Sequence, residues 1–208
     1  EMTSPDLDGG ARAIWAGGLS PSLSNVIDYS TIHTLGNTTD FGDTIAGKQS
    51  MGACASNTRA IQLGGYTTAH ENEIGYETIA STGDAVDFGN LTDARYELAA
   101  VASRTRGVFG GGNDNSSDLN LIDYVTISST GDAANFGDLT RTSSELCAFS
   151  DSTRGVFAYG FQRTDWASKP DLQYFTIAST GDAADFGDLI AATAQINGVQ
   201  SNGHGGLS

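Results

Sequence analysis

Lysine, proline and cysteine are scarce in this chain, and it has no long apolar run. Two lysines and eight arginines face 25 acidic residues, which leaves a net charge of −15 over 208 residues. Nucleic-acid binding needs a basic surface that neutralises phosphate, so this composition argues against a nucleic-acid partner and against anionic membrane surfaces. Because no apolar run approaches the roughly 18 residues of a membrane-spanning helix, we also expect no membrane insertion.

The residues that usually carry catalysis or metal binding are few and scattered. Cys54 and Cys147 are too few for a disulfide framework, and we interpret them as small residues that pack in the interior. His33, His70 and His204 share no repeat position, and no Ser-His-Asp set or metal-ligand spacing includes them. The sequence therefore predicts a protein that is not an enzyme and that uses no cofactor and no metal.

One segment of 18 residues occurs four times along the chain. Its third copy reads IDYVTISSTGDAANFGDL, and the copies start at Ile27, Ile74, Ile122 and Leu172. A second segment precedes it in the same register, with copies that start at Ala11, Thr58, Thr105 and Thr153. A third, rich in small residues, has copies that start at Gly52, Ala99, Cys147 and Asn197. Copies in phase define four units, at about residues 10–57, 58–104, 105–152 and 153–202, before a tail at 203–208.

Each unit has the pattern of four short β-strands. We name them a (GACAS, from Gly52), b (RGVFGG), c (DYVTI) and d (DFGDL). Ser-Thr-Gly-Asp between c and d is turn chemistry, because glycine there is free to adopt a positive φ. No stretch has a sustained helical period of apolar residues. The sequence therefore predicts an all-β chain that forms a single domain over residues 1–208.

The unit resembles the blade of the kelch family of repeat proteins. The resemblance rests on a small apolar first strand, a second strand that ends in Gly-Gly, and a fixed tyrosine in the third strand. Phe stands where the kelch pattern has Trp, and Tyr159 interrupts the glycine pair of the fourth unit. The resemblance implies a kelch-like β-propeller of four four-stranded blades. The alternative is a segment of a longer repeat array, and a start at Glu1 rather than Met fits a processed product or a fragment.

The two ends of the chain are out of phase with the blades. The chain starts in strand b of the first unit and ends just after the last of the four a strands, at Asn197–Ser201. Pairing of this C-terminal strand with the N-terminal blade would close the ring and remove two exposed strand edges. We therefore expect a closed ring in which the a strands line the axis.

The wording of the repeat also resembles repeats in virion proteins of marine and freshwater phages, cyanophages especially, where such arrays occur in tail-fibre or spike-like proteins. This resemblance implies a non-enzymatic adhesin domain on the virion surface, extracellular, with other virion proteins and a host-surface glycan or protein as partners. The alternatives are a structural or decoration protein of a particle or extracellular fibre, and a bacterial lectin-like propeller. A homo-oligomer is compatible with each of them.

Four arginines occupy one repeat position, directly before the apolar part of strand b. They are Arg12, Arg59, Arg106 and Arg154. One interpretation is a repeated salt bridge to an acidic residue of strand d, such as Asp43, Asp138 or Asp188. The other is a cationic ring at one mouth of the channel that binds an anion.

Calcium is a further alternative at the turns between c and d. Asp182, Asp185 and Asp188 place three carboxylates within seven residues, and carboxylate oxygens suit Ca²⁺. Alternate strand residues point to opposite faces, so we expect these aspartates to stabilise the turn rather than converge on an ion.

The connections between b and c differ from unit to unit, and we expect all four on one face of the domain. Loops on a rigid scaffold are where binding usually occurs, so we predict the ligand-binding residues there. The fourth connection is the longest, and its Trp166 would suit stacking on a sugar ring, although it would also suit packing against its own blade. The candidate residues are Arg163, Asp165, Trp166 and Lys169, with His70, Asn113 and Asp114 from the neighbouring connections.

Overall fold

A computed structural model of the chain describes residues 12–192, and every regular element in this part is a β-strand. The all-β prediction is therefore confirmed for these residues. The strands, in chain order, are β1 (Arg12–Ala16), β2 (Val26–Thr31), β3 (Thr39–Asp43), β4 (Gly52–Ala55), β5 (Arg59–Leu63), β6 (Glu73–Thr78), β7 (Val86–Asn90), β8 (Ala99–Ala102), β9 (Arg106–Gly110), β10 (Leu121–Thr126), β11 (Ala134–Asp138), β12 (Cys147–Ser150), β13 (Arg154–Ala158), β14 (Phe161–Gln162), β15 (Ala167–Ser168), β16 (Asp171–Thr176) and β17 (Ala184–Asp188).

Four antiparallel sheets follow one another along the chain. The first has three strands in the order β1-β2-β3, and the second and third are the meanders β4-β5-β6-β7 and β8-β9-β10-β11. The fourth has the order β12-β13-β16-β17, and β14 and β15 form a separate hairpin in its b–c connection. The a, b, c and d strands predicted from the repeat are therefore present in the second, third and fourth sheets, and b, c and d in the first.

A bulge lies at the same place in every sheet, and in the first three sheets it turns a phenylalanine inward. In the third sheet Ile122 lies opposite Gly137 and Asp123 opposite Asn135, so Phe136 is the extra residue. An extra residue bends the strand and re-aims its side chain, and Phe136 is buried as a result. The Asp-Phe-Gly repeat is thus the sequence of this bulge.

The hydrophobic core lies between neighbouring sheets. Phe136 of β11 packs with Phe175 and Ile177 of the fourth unit, and the two phenylalanine rings meet edge to face with centroids 5.3 Å apart. Phe88 of β7 lies in an equivalent cluster with Val125 of the third unit. The phenylalanines of β7 and β11 therefore join their own sheets to the next ones.

Hydrogen bonds fix the same junction. The N–H of Gly131, in the c–d turn of the third unit, donates to the carbonyl oxygen of Phe88 at 2.7 Å, and the N–H of Ala133 donates to that of Asn90 at 2.8 Å. The carboxylate of Asp132 accepts the N–H of Asn90 at 2.9 Å. Equivalent bonds join the first sheet to the second and the third to the fourth. Each c–d turn is therefore docked on the d strand of the preceding unit.

The four sheets do not close into a ring within residues 12–192. The a strands β4, β8 and β12 adjoin one another in that order. No hydrogen bond or salt bridge in this range links the strands of the first sheet to those of the fourth, and β1 has no a strand beside it. The a strand predicted at Asn197–Ser201, and the closure predicted through it, lie outside the described residues.

Candidate ligand-binding surface

The b–c connections lie side by side because the loops between d and the next a strand hold them together. Gln49 and Tyr66 exchange two backbone hydrogen bonds, of 3.1 and 2.9 Å. Tyr96 pairs with Asn113 in the same way, and Ser144 with Phe161. The first connection is attached through the N–H of Gly18, which donates to the carbonyl oxygen of Lys48. One face of the molecule is therefore built of the segments that vary most between units.

Arg163 ties the fourth connection to its neighbours. Its guanidinium donates to Asp118 at 3.3 Å, to the hydroxyl of Ser144 at 3.1 Å and to Glu97 at 3.0 Å. The Asp118 side chain is fully buried, so this contact is shielded from water. Burial raises the pKa of Glu97, although its hydrogen bond to Arg163 acts in the opposite direction. Arg163 is one of the predicted ligand-binding residues. In the structure its guanidinium is engaged in holding the loops together.

Trp166 stands at the tip of the β14–β15 hairpin. It has a left-handed backbone, with φ of 53°, and its ring meets Phe161 edge to face at 5.8 Å. The residue nevertheless remains 78% exposed. Asp165 and Lys169 form an ion pair beside it. The hairpin thus presents an indole with a charged group of each sign next to it.

The other three candidates belong to the neighbouring connections. Asn113 is buried, and its amide donates to Asp118 at 3.0 Å while its oxygen accepts the N–H of Asn115, so it shapes the loop. Partial burial of Asp114 opposes ionisation, but the N–H groups of Ser117 and its neighbour hold the pKa of that carboxyl below its usual range. His70 also acts to lower the pKa of this carboxyl, which places the second and third connections close to each other.

The repeated arginines form a second row, at the strand b end far from these loops. Each guanidinium lies over the tyrosine of strand c in its own sheet, 4.3 to 4.6 Å from the ring centroid. Arg12, Arg59 and Arg106 also donate to a backbone carbonyl of the next unit. The acceptors are Ile79 at 2.7 Å, Ile127 at 2.8 Å and Ile177 at 3.0 Å.

The predicted salt bridge from these arginines to a strand d acid is therefore wrong. Within residues 12–192, Arg12, Arg59, Arg106 and Arg154 make no salt bridge. A carbonyl acceptor in the next unit replaces the expected carboxylate, and the row serves to join sheets. The alternative interpretation, an anion bound by the remaining guanidinium N–H groups of these arginines, stays a prediction.

The aspartates considered for Ca²⁺ point to different partners. Asp182 accepts the N–H of Asp138 in the preceding sheet at 3.0 Å, whereas Asp185 accepts the N–H of Gly187 in its own strand at 3.1 Å. Among the described residues no group of three or more His, Cys, Asp or Glu side chains is arranged to hold a metal ion.

A cavity of about 420 Å³ lies between the first and second sheets, and no sequence signal indicated it. Its lining includes Arg12 of β1, Met51 and Cys54 beside or on β4, and Glu77 of β6. Gln62 donates to one carboxylate oxygen of Glu77, while the other is buried with no hydrogen-bond partner among residues 12–192. Burial raises the pKa of Glu77 to about 7 and that of the Cys54 thiol to about 12. Because the other three sheets carry an a strand beside b, this cavity lies where such a strand would stand beside β1, which has none within residues 12–192.

Sequence reasoning also missed the acidic partners of Arg163. Asp118 and Glu97 come from two different loops, 45 and 66 residues away from it in sequence. Glu97 has an equivalent in Glu145, but Asp118 lies in a b–c connection that differs from unit to unit, so the sequence carried no signal that would have brought the two together.

Comparison with protein-family models gives no match for this chain, and comparison with curated proteins gives none either. In the described part of the chain, no helix is long and apolar enough to cross a membrane.

Proposed function

We propose that the chain is a non-enzymatic binding module, a domain of a phage tail-fibre or spike-type adhesin that contacts a host-surface glycan or protein. The observation that carries this proposal is the exposed indole of Trp166 on the loop face. An indole that is 78% exposed leaves a large apolar area in water, which is a cost unless a ligand covers it.

The surroundings of Trp166 suit a sugar. The flat apolar face of an indole stacks on the C–H groups of a pyranose ring, and its N–H is a donor. Asp165 and Lys169 add an acceptor and a donor for hydroxyl groups within the same hairpin. Arg163 anchors the hairpin, so the binding groups are held before the ligand arrives, which lowers the entropy cost of binding.

For the scaffold we propose blades of the β-propeller type. The meander order, the adjacency of the small-residue a strands and the docking of each c–d turn on the preceding unit support blades arranged around an axis. Residues 197–201 repeat the composition of the a strands, and β1 is the strand that would receive them.

The proposed location on a virion rests on the amino-acid sequence of the repeat and on the net charge of the chain. The repeat resembles those of virion proteins of marine and freshwater phages, and a net charge of −15 with two lysines suits a protein exposed to salt water. The partners would be other virion proteins and a host-surface molecule, outside the cell.

The test is binding of the whole chain to cyanobacterial cells and to an array of bacterial surface glycans. We expect Trp166→Ala to weaken binding at least about tenfold, because aromatic anchors at the centre of a site dominate its energy. Melting should be nearly unchanged, since the side chain is exposed.

Trp15→Ala is the matched control, because Trp15 is the other tryptophan, is also exposed and lies on β1 rather than on the loop face. It should bind as the parent does. Equal binding by the parent and Trp166→Ala would exclude the hairpin as the site. Arg163→Ala is a poor probe, because it would disturb Asp118 and Glu97 whether or not a ligand binds.

A structural or decoration protein is the second candidate, and one observation favours it. The d strand of the last sheet exposes Phe186. The equivalent phenylalanines of the other units are buried. Association through such a surface would build a particle or fibre without any small ligand. Stoichiometric presence of the chain on purified particles, without binding to cells or glycans, would favour this candidate.

A further inference from the structure

The junction between consecutive sheets repeats three times with the same contacts. The d strand of one unit offers a phenylalanine carbonyl, which accepts the N–H of a turn glycine of the next unit at 2.7 or 2.8 Å. The turn aspartate of the next unit accepts an N–H of that d strand at 2.9 to 3.0 Å. The strand b arginine of the first unit of the pair completes the set by donating to an isoleucine carbonyl of the next. Every junction thus has a front half on one unit and a back half on the following one.

The front half of the fourth unit has no counterpart within residues 12–192. Phe186 is 46% exposed, whereas the equivalent Phe41, Phe88 and Phe136 are 2 to 3% exposed. Gly187 keeps the positive φ of its equivalents, yet nothing lies within 4 Å of a Cβ built on it. Arg154 covers Tyr174 but donates to no carbonyl among the described residues.

The back half of the first unit is equally unmatched in the described chain. Ile32 is 63% exposed, whereas its equivalents Ile127 and Ile177 are 1% exposed and Ile79 is partly buried. The glycine of the first c–d turn, Gly36, has the φ of the other turn glycines, so this turn keeps the shape that docks on a d strand in the other units. Asn37 stands where the other turns have aspartate, and its amide oxygen is able to accept the same N–H.

The two halves are complementary to each other, and within residues 12–192 they do not meet in one chain. No hydrogen bond or salt bridge in this range links the strands of the first sheet to those of the fourth. A back half from a second molecule would supply every missing contact in the geometry that this chain already uses three times. It would bring Ile32 onto Phe186, the Ile32 carbonyl to Arg154 and the Asn37 amide oxygen to the N–H of Asp188.

We infer that the exposed face of β17 in one molecule binds the segment 32–38 of a second copy of this chain, head to tail. Such an interface joins two different surfaces, so it leads to a ring or to a filament, depending on the rotation between copies. This inference does not depend on ligand binding at Trp166, because the loop face lies at the opposite end of the strands.

The first experiment measures the mass of the full chain in solution by sedimentation over a range of concentrations. We expect multiples of 21.5 kDa, and more association at higher salt, because salt screens the repulsion between copies of charge −15. A monomer at every concentration and salt level overturns the inference.

A pair of matched variants tests the surface. Phe186→Glu places a charge in the proposed interface and should weaken association at least about tenfold. Val86→Glu is the control, because Val86 is also an exposed apolar residue of a d strand and is 53% exposed although its junction is formed. Equal effects of the two variants on association would overturn the proposed surface.

A disulfide cross-link decides between a second copy and closure within one chain. In a background with Cys54→Ala and Cys147→Ala, one sample carries Asn37→Cys and the other Asp188→Cys. The mixture should form a cross-linked dimer under mild oxidation. Asp84→Cys with Asp43→Cys in one chain is the positive control. These two residues are already neighbours, since the backbone N–H of Asp43 donates to the carboxylate of Asp84 at 3.0 Å. If Asn37→Cys with Asp188→Cys in one chain cross-links only internally, or the mixture forms no dimer while the positive control cross-links, the inference is wrong.

Discussion

The guanidinium of Arg59 covers the ring of Tyr76, 4.4 Å from its centroid, and donates to the carbonyl oxygen of Ile127 in the next sheet at 2.8 Å. The tyrosine ring packs against one face of the guanidinium, and the hydrogen bond to the carbonyl oxygen fixes the orientation of the guanidinium. One side chain therefore contributes both to the stability of its own sheet and to the position of the following one. The same arrangement in successive units makes the arginine row a joint between sheets.

Removal of this joint should destabilise the fold. We expect Arg106→Ala to lower the free energy of unfolding by about 2 kcal/mol, since it removes a cation–π contact and a charge-assisted hydrogen bond. Arg154→Ala removes only the cation–π contact among the described residues and should cost less than about 1 kcal/mol in dilute protein. Urea denaturation followed by circular dichroism measures both values. Equal losses would mean that the bond to Ile177 contributes nothing.

The turn-to-strand junction gives a second matched pair. A Cβ on Gly137 would lie 2.3 Å from the carbonyl oxygen of Gly181, whereas a Cβ on Gly187 has nothing within 4 Å. Both glycines have a positive φ, so alanine is strained at either position. We expect Gly137→Ala to cost at least about 1 kcal/mol more than Gly187→Ala, because only the first forces the neighbouring turn to move.

Thermal denaturation of dilute protein gives the comparison directly. A melting temperature of Gly137→Ala equal to that of Gly187→Ala would show that the docked turn yields without cost. Sedimentation at high concentration adds a separate result, since Gly187 lies in the proposed interface between copies.

The strands were predictable from sequence because each repeat carries its own signals. The β-branched c strand, the Gly-containing turn and the Asp-Phe-Gly segment recur in phase, so one unit explains the others. The bulge itself could not be foreseen, since the alternation of side chains gives no sign that Phe136 occupies an extra position.

The contacts between units could not be predicted in the same way. A carboxylate partner for the arginines was expected because charges attract, but the acceptor is a backbone carbonyl, which every residue has and which leaves no trace in sequence. The role of Arg163 was hidden for a related reason, since Glu97 and Asp118 become its neighbours only after three loops are packed side by side. The candidate surface was predictable as a face, but the distribution of roles within it was not.

The buried ion pair of Arg95 and Asp123 should be sensitive to the loss of one partner. Both side chains are fully buried, with 3.0 Å between their charged atoms. We expect Asp123→Ala to cost about 3–5 kcal/mol, because it leaves a buried guanidinium without its counter-ion. Arg141→Ala is the control, since its 3.4 Å pair with Asp171 is half exposed and should be worth no more than about 1 kcal/mol. Urea denaturation of the two variants measures the free energy of unfolding. A similar loss in both variants would contradict the larger cost expected for leaving the buried guanidinium of Arg95 unpaired.

The last prediction concerns Glu77, which lines the cavity beside β1. Burial raises its pKa from 4.5 to about 7 in the folded protein. Below pH 4.5 the carboxyl is protonated in both the folded and the unfolded chain, so it affects stability little. Between 4.5 and 7 the unfolded chain releases the proton while the folded chain retains it, and the free energy of unfolding should fall as the pH rises.

Glu77→Gln removes the ionisation and keeps a group that accepts the hydrogen bond of Gln62. We expect the variant to be more stable than the parent above pH 7, by up to roughly 3 kcal/mol, and the difference to vanish below pH 4.5. Urea denaturation at pH 4, 6 and 8 measures this change. A difference that is the same at all three values would attribute the effect to packing and not to the proton.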